Sequence, residues 1–133
     1  MDRIQKFEEL DIFKKARQLS KDIYAITNRL SFANDVRFAQ QIHASVGSIM
    51  DNIAEGFERN GNKEFVQFLY IAKGSCGEVR SQIIRASDVG FLDKEMALEL
   101  YNKSLTLSRE ISSLIKVLKT SEHKGAKFNP LEL

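Results

Sequence analysis

The chain has 133 residues, of which 43% are hydrophobic and 29% charged. That is the size and balance of one globular domain and excludes disorder, which goes with low apolar content and high net charge. A formal net charge of +2 is only mildly basic, compatible with a nucleic-acid partner but not diagnostic of one. The lone Cys76 rules out an internal disulfide, no apolar run approaches the roughly 20 residues that cross a bilayer, and no charged-then-apolar leader opens at Met1. A soluble, cytoplasmic protein without membrane contact is therefore expected.

The opening residues are polar apart from Ile4, Phe7 and Leu10 and read as an arm before the first helix. From Ile12 the apolar residues Ala16, Leu19, Ile23, Ile26 and Leu30 recur by threes and fours, predicting a helix over about 11–30. Residues 31–34 read as a short connection, with Asn34 as N-cap and Asp35 in the first turn of a second helix over about 35–59. Ile42, Val46, Ile49 and Ile53 form its apolar stripe. Ala39, Met50 and Phe57 widen that stripe beyond what two-layer packing needs, so this helix is expected to be covered by more than its own bundle.

Asn60-Gly61-Asn62 ends the second helix, with Gly61 free to take a left-handed conformation and Asn62 suited to cap the next. A third helix over about 63–89 carries Phe65, Phe68 or Leu69, Ala72, Cys76, Val79, Ile83 and Ala86 inward and ends near Gly90. Gly74, Gly77 and Ser81 lie on another face, where missing side chains permit close approach of a neighbour. A fourth helix over about 94–121, capped by Asp93, follows the stripe Ala97, Leu100, Ser104, Leu107, Ile111, Leu114 and Leu118. The tail, 122–133, holds the only Pro and is expected to be mobile. Four amphipathic helices joined by short connections predict an all-α, antiparallel up-down-up-down four-helix bundle as a single domain.

Gln41-Ile42, Ser48-Ile49 and Asn52-Ile53-Ala54-Glu55-Gly56, followed by Glu64-Phe65, Phe68-Leu69, Ile71-Ala72, Gly74-Ser75 and Glu78, resemble the four-helix-bundle proteins encoded by intervening sequences within bacterial 23S ribosomal RNA genes. The resemblance runs from the Phe7 and Leu10 region to Leu118. It implies a bacterial source, no enzymatic activity, and a ring-shaped homopentamer, like the similar accessory protein of diversity-generating retroelements, with a basic surface for nucleic acid. Where relatives often have a pair of arginines after Gln-Ile, this chain has His43 and Ala44. Met50 stands where a proline is common.

Phosphate binding needs several cations on one accessible surface. The candidates are Arg37, Arg59, Lys73, Arg80 and Arg85, extended by Lys116, Lys119 and Lys124. The plain alternative for each is a solvated charge, and Arg59 can pair with Glu55 at i,i+4. Beside the apolar stripe of the second helix runs a polar one containing Gln41, Ser45, Ser48, Asn52, Glu55 and Arg59. With Gly56, Gly74 and Gly77 it reads as a packing and assembly device of interhelical hydrogen bonds, not an active site.

No Glu-x-x-His pair exists for a di-iron centre, Cys76 lies on a core stripe, and two histidines offer no triad logic. Catalytic residues, metal, cofactor and small-molecule substrate are accordingly not expected. The leading expectation is a homo-oligomer that binds structured RNA or DNA; the alternative is a protein-interaction scaffold without nucleic-acid binding.

Overall fold

Each long amphipathic stretch folds as a helix, and the helices close on one another in chain order. The computed structural model of the chain describes residues 4–123, without the side chains of Leu30, Glu122 and His123. A 3-10 turn at Phe7–Glu9 leads into α1 (Asp11–Thr27), α2 (Leu30–Ala33), α3 (Val36–Glu58), α4 (Asn62–Asp88) and α5 (Lys94–His123). The long helices α1, α3, α4 and α5 form the antiparallel up-down-up-down bundle that the patterning predicts: α1 packs on α3, α3 on α4, α4 on α5, and α5 returns to α1. No strand forms among the described residues.

The helix ends show which local chemistry prevails. Asp35, not Asn34, caps α3, its carboxylate accepting from the Phe38 amide at 3.0 Å. Gly61 stands at the N-cap of α4 with φ +112°, so Asn62 is the first helical residue and not its cap. At the other end of α4, Gly90 takes φ +83°. There the Phe91 amide donates to the Ala86 carbonyl at 2.8 Å and the Gly90 amide to the Ser87 carbonyl, the paired bonds of a Schellman ending that satisfy carbonyls the helix leaves open. Asp93 caps α5 through the Met96 amide at 2.7 Å, as expected.

Two helix boundaries are corrected as well. The first helix stops at Thr27, and the presumed connection holds the short helix α2. Its Phe32 is fully buried and packs against Phe38 and Phe91, both at ring-centroid distances of 5.2 Å. Phe32 thereby joins α2 to Phe38 of α3 and to Phe91 in the α4–α5 turn. The fourth helix runs to His123, two residues beyond the expected end; the remainder of the tail expected to be mobile, from Lys124 on, lies outside the described residues.

The core is continuous along the bundle. Ile42, Val46, Ile49 and Ile53 of α3 meet Leu69, Ala72, Cys76 and Val79 of α4, all fully buried, with Leu19 and Ile23 of α1 and Leu107 and Ile111 of α5 completing the layers. Each buried Leu or Ile contributes about 1.5–3 kcal/mol relative to exposure. The wide apolar arc of α3 is occupied within the chain: Ala39, Met50, Ala54 and Phe57 are partly buried against this same core, and the N-terminal turn, with Phe7, lies against α1 and α3. The arm that the sequence places before the first helix thus adds to the cover of α3 from within the chain.

Candidate functional site

The middle of the polar stripe of α3, Ser45 and Ser48, meets α4, and its hydrogen bonds run partly along α3 and partly across to α4. Gln82 of α4, 5% exposed, donates from Nε2 to Ser45 Oγ at 2.9 Å, while the Ser45 hydroxyl donates to the Gln41 carbonyl at 3.1 Å. One heptad on, Ser75 donates to Ser48 Oγ at 2.9 Å, and Asn52 Nδ2 donates to the Ser48 carbonyl at 2.8 Å and hydroxyl at 3.0 Å. The small hydroxyls bring the helices close, and at Gly56 they come closer still. A Cβ there would stand 2.7 Å from Phe68 Cβ, inside the 3.5–4.0 Å of a normal carbon contact. Gly56 therefore permits close α3–α4 packing.

The candidate cations do not converge on one patch. At one end of the α3–α4 pair, Arg85 donates to Gln41 Oε1 at 3.0 Å and lies over the Phe38 ring at 4.4 Å; Arg37 is exposed one turn before Gln41. Arg59 sits at the far end, about 33 Å along α3 at 1.5 Å per residue. It donates to Glu55 at 2.6 Å and covers the Phe68 ring at 5.0 Å, and that carboxylate bond raises its pKa further. Arg80 is turned toward α5, within 3.4 Å of the Ser104 carbonyl and hydroxyl. On that side Lys119 donates to the Tyr70 hydroxyl at 3.3 Å, and Lys73 and Lys116 are exposed. Lys124 lies outside the described residues.

Between these groups the outer face of α4 is left open by the described residues. Tyr70, Ile71 and Ile84 are 48%, 51% and 50% exposed. No atom lies within 4 Å of where a Cβ of Gly74 would stand, and Gly77 meets only the Arg80 guanidinium at 3.7 Å. Among the described residues, neither glycine is used for close packing.

At the titratable core residue burial outweighs the one cation acting on it. Cys76 is fully buried, and burial pushes its thiol up to about 11 against the smaller opposing pull of Arg80; a thiol held neutral is a packing residue. Among the described residues no three His, Cys, Asp or Glu side chains gather as a metal site would need, and no helix is long and apolar enough to cross a membrane.

Two features escape a reading of single helices. Gln82 falls beside the core stripe of α4 and is legible as buried only once α3 is set against it. His43 lies with its ring parallel to Tyr24 of α1 at 3.9 Å and 3°, its Nε2 2.7 Å from Thr27 Oγ1. That pairing joins two helices and has no signal along either one.

The geometry defines a helical bundle with hydrogen bonds between α3 and α4 and, among the described residues, no gathered set of metal ligands. The chain belongs to the 23S rRNA-intervening sequence protein family, whose model matches residues 8–124. It is similar in fold to a crystal structure of a protein with unknown function from the S23 ribosomal protein family of Bacteroides thetaiotaomicron. The TM-score is 0.72 at 20% identity, covering 79% of this chain and 98% of that one. No curated protein matches the chain.

Proposed function

We propose that the chain is a non-enzymatic, homo-oligomeric helical bundle, a pentamer by family resemblance, that binds structured RNA or DNA through a composite basic surface. The observation that carries this reading is the outer face of α4. Half-exposed Tyr70, Ile71 and Ile84 flank Gly74, which has open space before it. A second helix laid there would bury apolar side chains around a point where no side chain holds it off. Lys73 and Arg85 stand on opposite flanks of that face, so a closed assembly would repeat each cation by symmetry and raise the local potential.

Light scattering tests the assembly. The unaltered chain should have a mass several times the 15.2 kDa of one chain, and Gly74→Leu, whose Cβ meets nothing among the described residues, should return it to 15.2 kDa. A monomeric unaltered chain overturns the reading. Salt-titrated binding of a folded RNA and a DNA duplex tests the ligand. Affinity should fall as salt rises, with a shallower slope after Lys73→Glu and Arg85→Glu. Absence of binding at low salt, with a protein partner recovered after nuclease treatment, would instead support the interaction scaffold.

A further inference from the structure

We propose that the outward stripe of α1, ending at the Tyr24–His43 stack, is a binding site for single-stranded nucleic acid. The proposal rests on the nucleic-acid reading above and places a site on a helix that none of the α3 and α4 cations touch.

Lys14, Arg17, Lys21 and Tyr24 follow one another by three and four residues, which sets them on a single stripe of α1. All four are exposed. The stripe spans about 15 Å at 1.5 Å per residue and contains no acid. Charges on the side of α1 facing α5 are used internally: Lys15 pairs with Glu110, and Asp22 accepts from Lys103 at 2.8 Å. The three cations of the outward stripe have no ion-pair partner among the described residues. They are available to phosphates without first breaking a bond.

The stripe ends on a flat ring of fixed orientation. Tyr24 is 47% exposed, yet one of its faces is covered by the parallel His43 ring at 3.9 Å. Its exposed surface is therefore the opposite face and the edge. His43 is held in turn by Thr27, which is 4% exposed. The Thr27 hydroxyl donates to the Tyr24 carbonyl at 3.1 Å and accepts from His43 Nε2–H, so each proton is used once. The ring thus loses little freedom when a second ring stacks on it.

Cations in a row with an aromatic face at the end match the two chemistries of a single strand, a charged backbone and unstacked bases. A duplex keeps its base faces internal and cannot use Tyr24. An apolar protein helix would find no aliphatic anchor along Lys14, Arg17 and Lys21.

The test is fluorescence anisotropy of the full chain with labelled oligouridylate and oligothymidylate, with a hairpin duplex as the third ligand. Tyr24→Ala should weaken single-strand binding roughly 5- to 160-fold, the effect of losing one stacked base, with an unchanged salt slope. Tyr24→Phe should restore it. Arg17→Gln with Lys21→Gln should instead lower the slope by about 0.7 per cation removed, and because both side chains are exposed and unpaired this variant folds normally. Circular dichroism checks that every variant keeps its helix content. The pattern in either the RNA or the DNA arm supports the site, and the stronger arm identifies the sugar preferred. Single-strand affinity unchanged by both Tyr24→Ala and the double charge variant overturns it. Binding of the duplex without the single strands overturns it too while leaving the composite surface standing, whereas loss of all three ligands removes both.

Discussion

Replacing Gly56 by Ala sets two effects of opposite sign against each other, and the structure decides between them. Ala is favoured over Gly inside a helix by about 1 kcal/mol. The added Cβ would stand 2.7 Å from Phe68 Cβ and 3.0 Å from Phe65 Cδ1, so the first contact is about 1 Å too short for two carbons. Phe68 Cβ cannot rotate away, because it is fixed to the α4 backbone. The helices must separate, which disturbs the Ser48–Ser75 bond at 2.9 Å. Overpacking of this kind costs about 1–3 kcal/mol, and contact with a backbone-fixed atom puts it near the upper end. Gly56→Ala should therefore lose about 2 kcal/mol net, or about 8 °C in Tm. Gly47→Ala is the internal comparison: it is also inside α3, but nothing lies within 4 Å of the new carbon, so it should gain about 1 kcal/mol. Urea unfolding followed by circular dichroism measures both. If Gly56→Ala is as stable as the unaltered chain, the α3–α4 approach at this point does not limit side-chain size and the argument fails.

Ser45→Ala should cost about 1–3 kcal/mol because it leaves the buried Gln82 amide without its hydroxyl partner, and combining it with Gln82→Met should recover part of that loss in a double-mutant cycle of urea midpoints. Burial lowers the pKa of His43 below 6.5, so the unfolded chain holds that proton more tightly than the folded one. The stability tied to His43 is complete above pH 6.5 and is lost as the pH falls toward the depressed folded value. The difference in urea midpoint between the unaltered chain and His43→Gln, measured down that range, should shrink; a constant difference would refute it. With its thiol pushed up to about 11, Cys76 should resist maleimide at mildly alkaline pH until denaturant is added, and rapid labelling of the native chain would contradict the burial described.

The stripes of α3, α4 and α5 are legible in the sequence because side chains that share one core must repeat with the helical period. Phe32 is not, since one apolar residue in a four-residue connection has no period to reveal it. Asn34 and Asp35 are both competent caps, and their order is settled by which one reaches the Phe38 amide. The candidate cations fail to form a single patch for a related reason. Arg80 and Arg85 are five residues apart, about 140° around a helix at 100° per residue, so one turns to Ser104 of α5 and the other to Gln41 of α3. Spacing along a helix gives relative direction, and the neighbour in each direction is known only from the assembled bundle. The Tyr24–His43 stack is inaccessible to sequence reasoning on the same ground.

The four seams of the bundle are unequal. Contacts are dense where α4 meets α3 and α5, and sparsest between α1 and α5, where the ion pairs Lys15–Glu110 and Lys103–Asp22 bridge the surface. Ion pairs at the surface hold little against opening, so the bundle has one soft side. Local unfolding should begin there, with α1 lifting from α5 while α3, α4 and α5 stay joined, and the amides of α1 should exchange with solvent before those of α4. In mechanical terms α4 is the spine of the molecule and α1 the door.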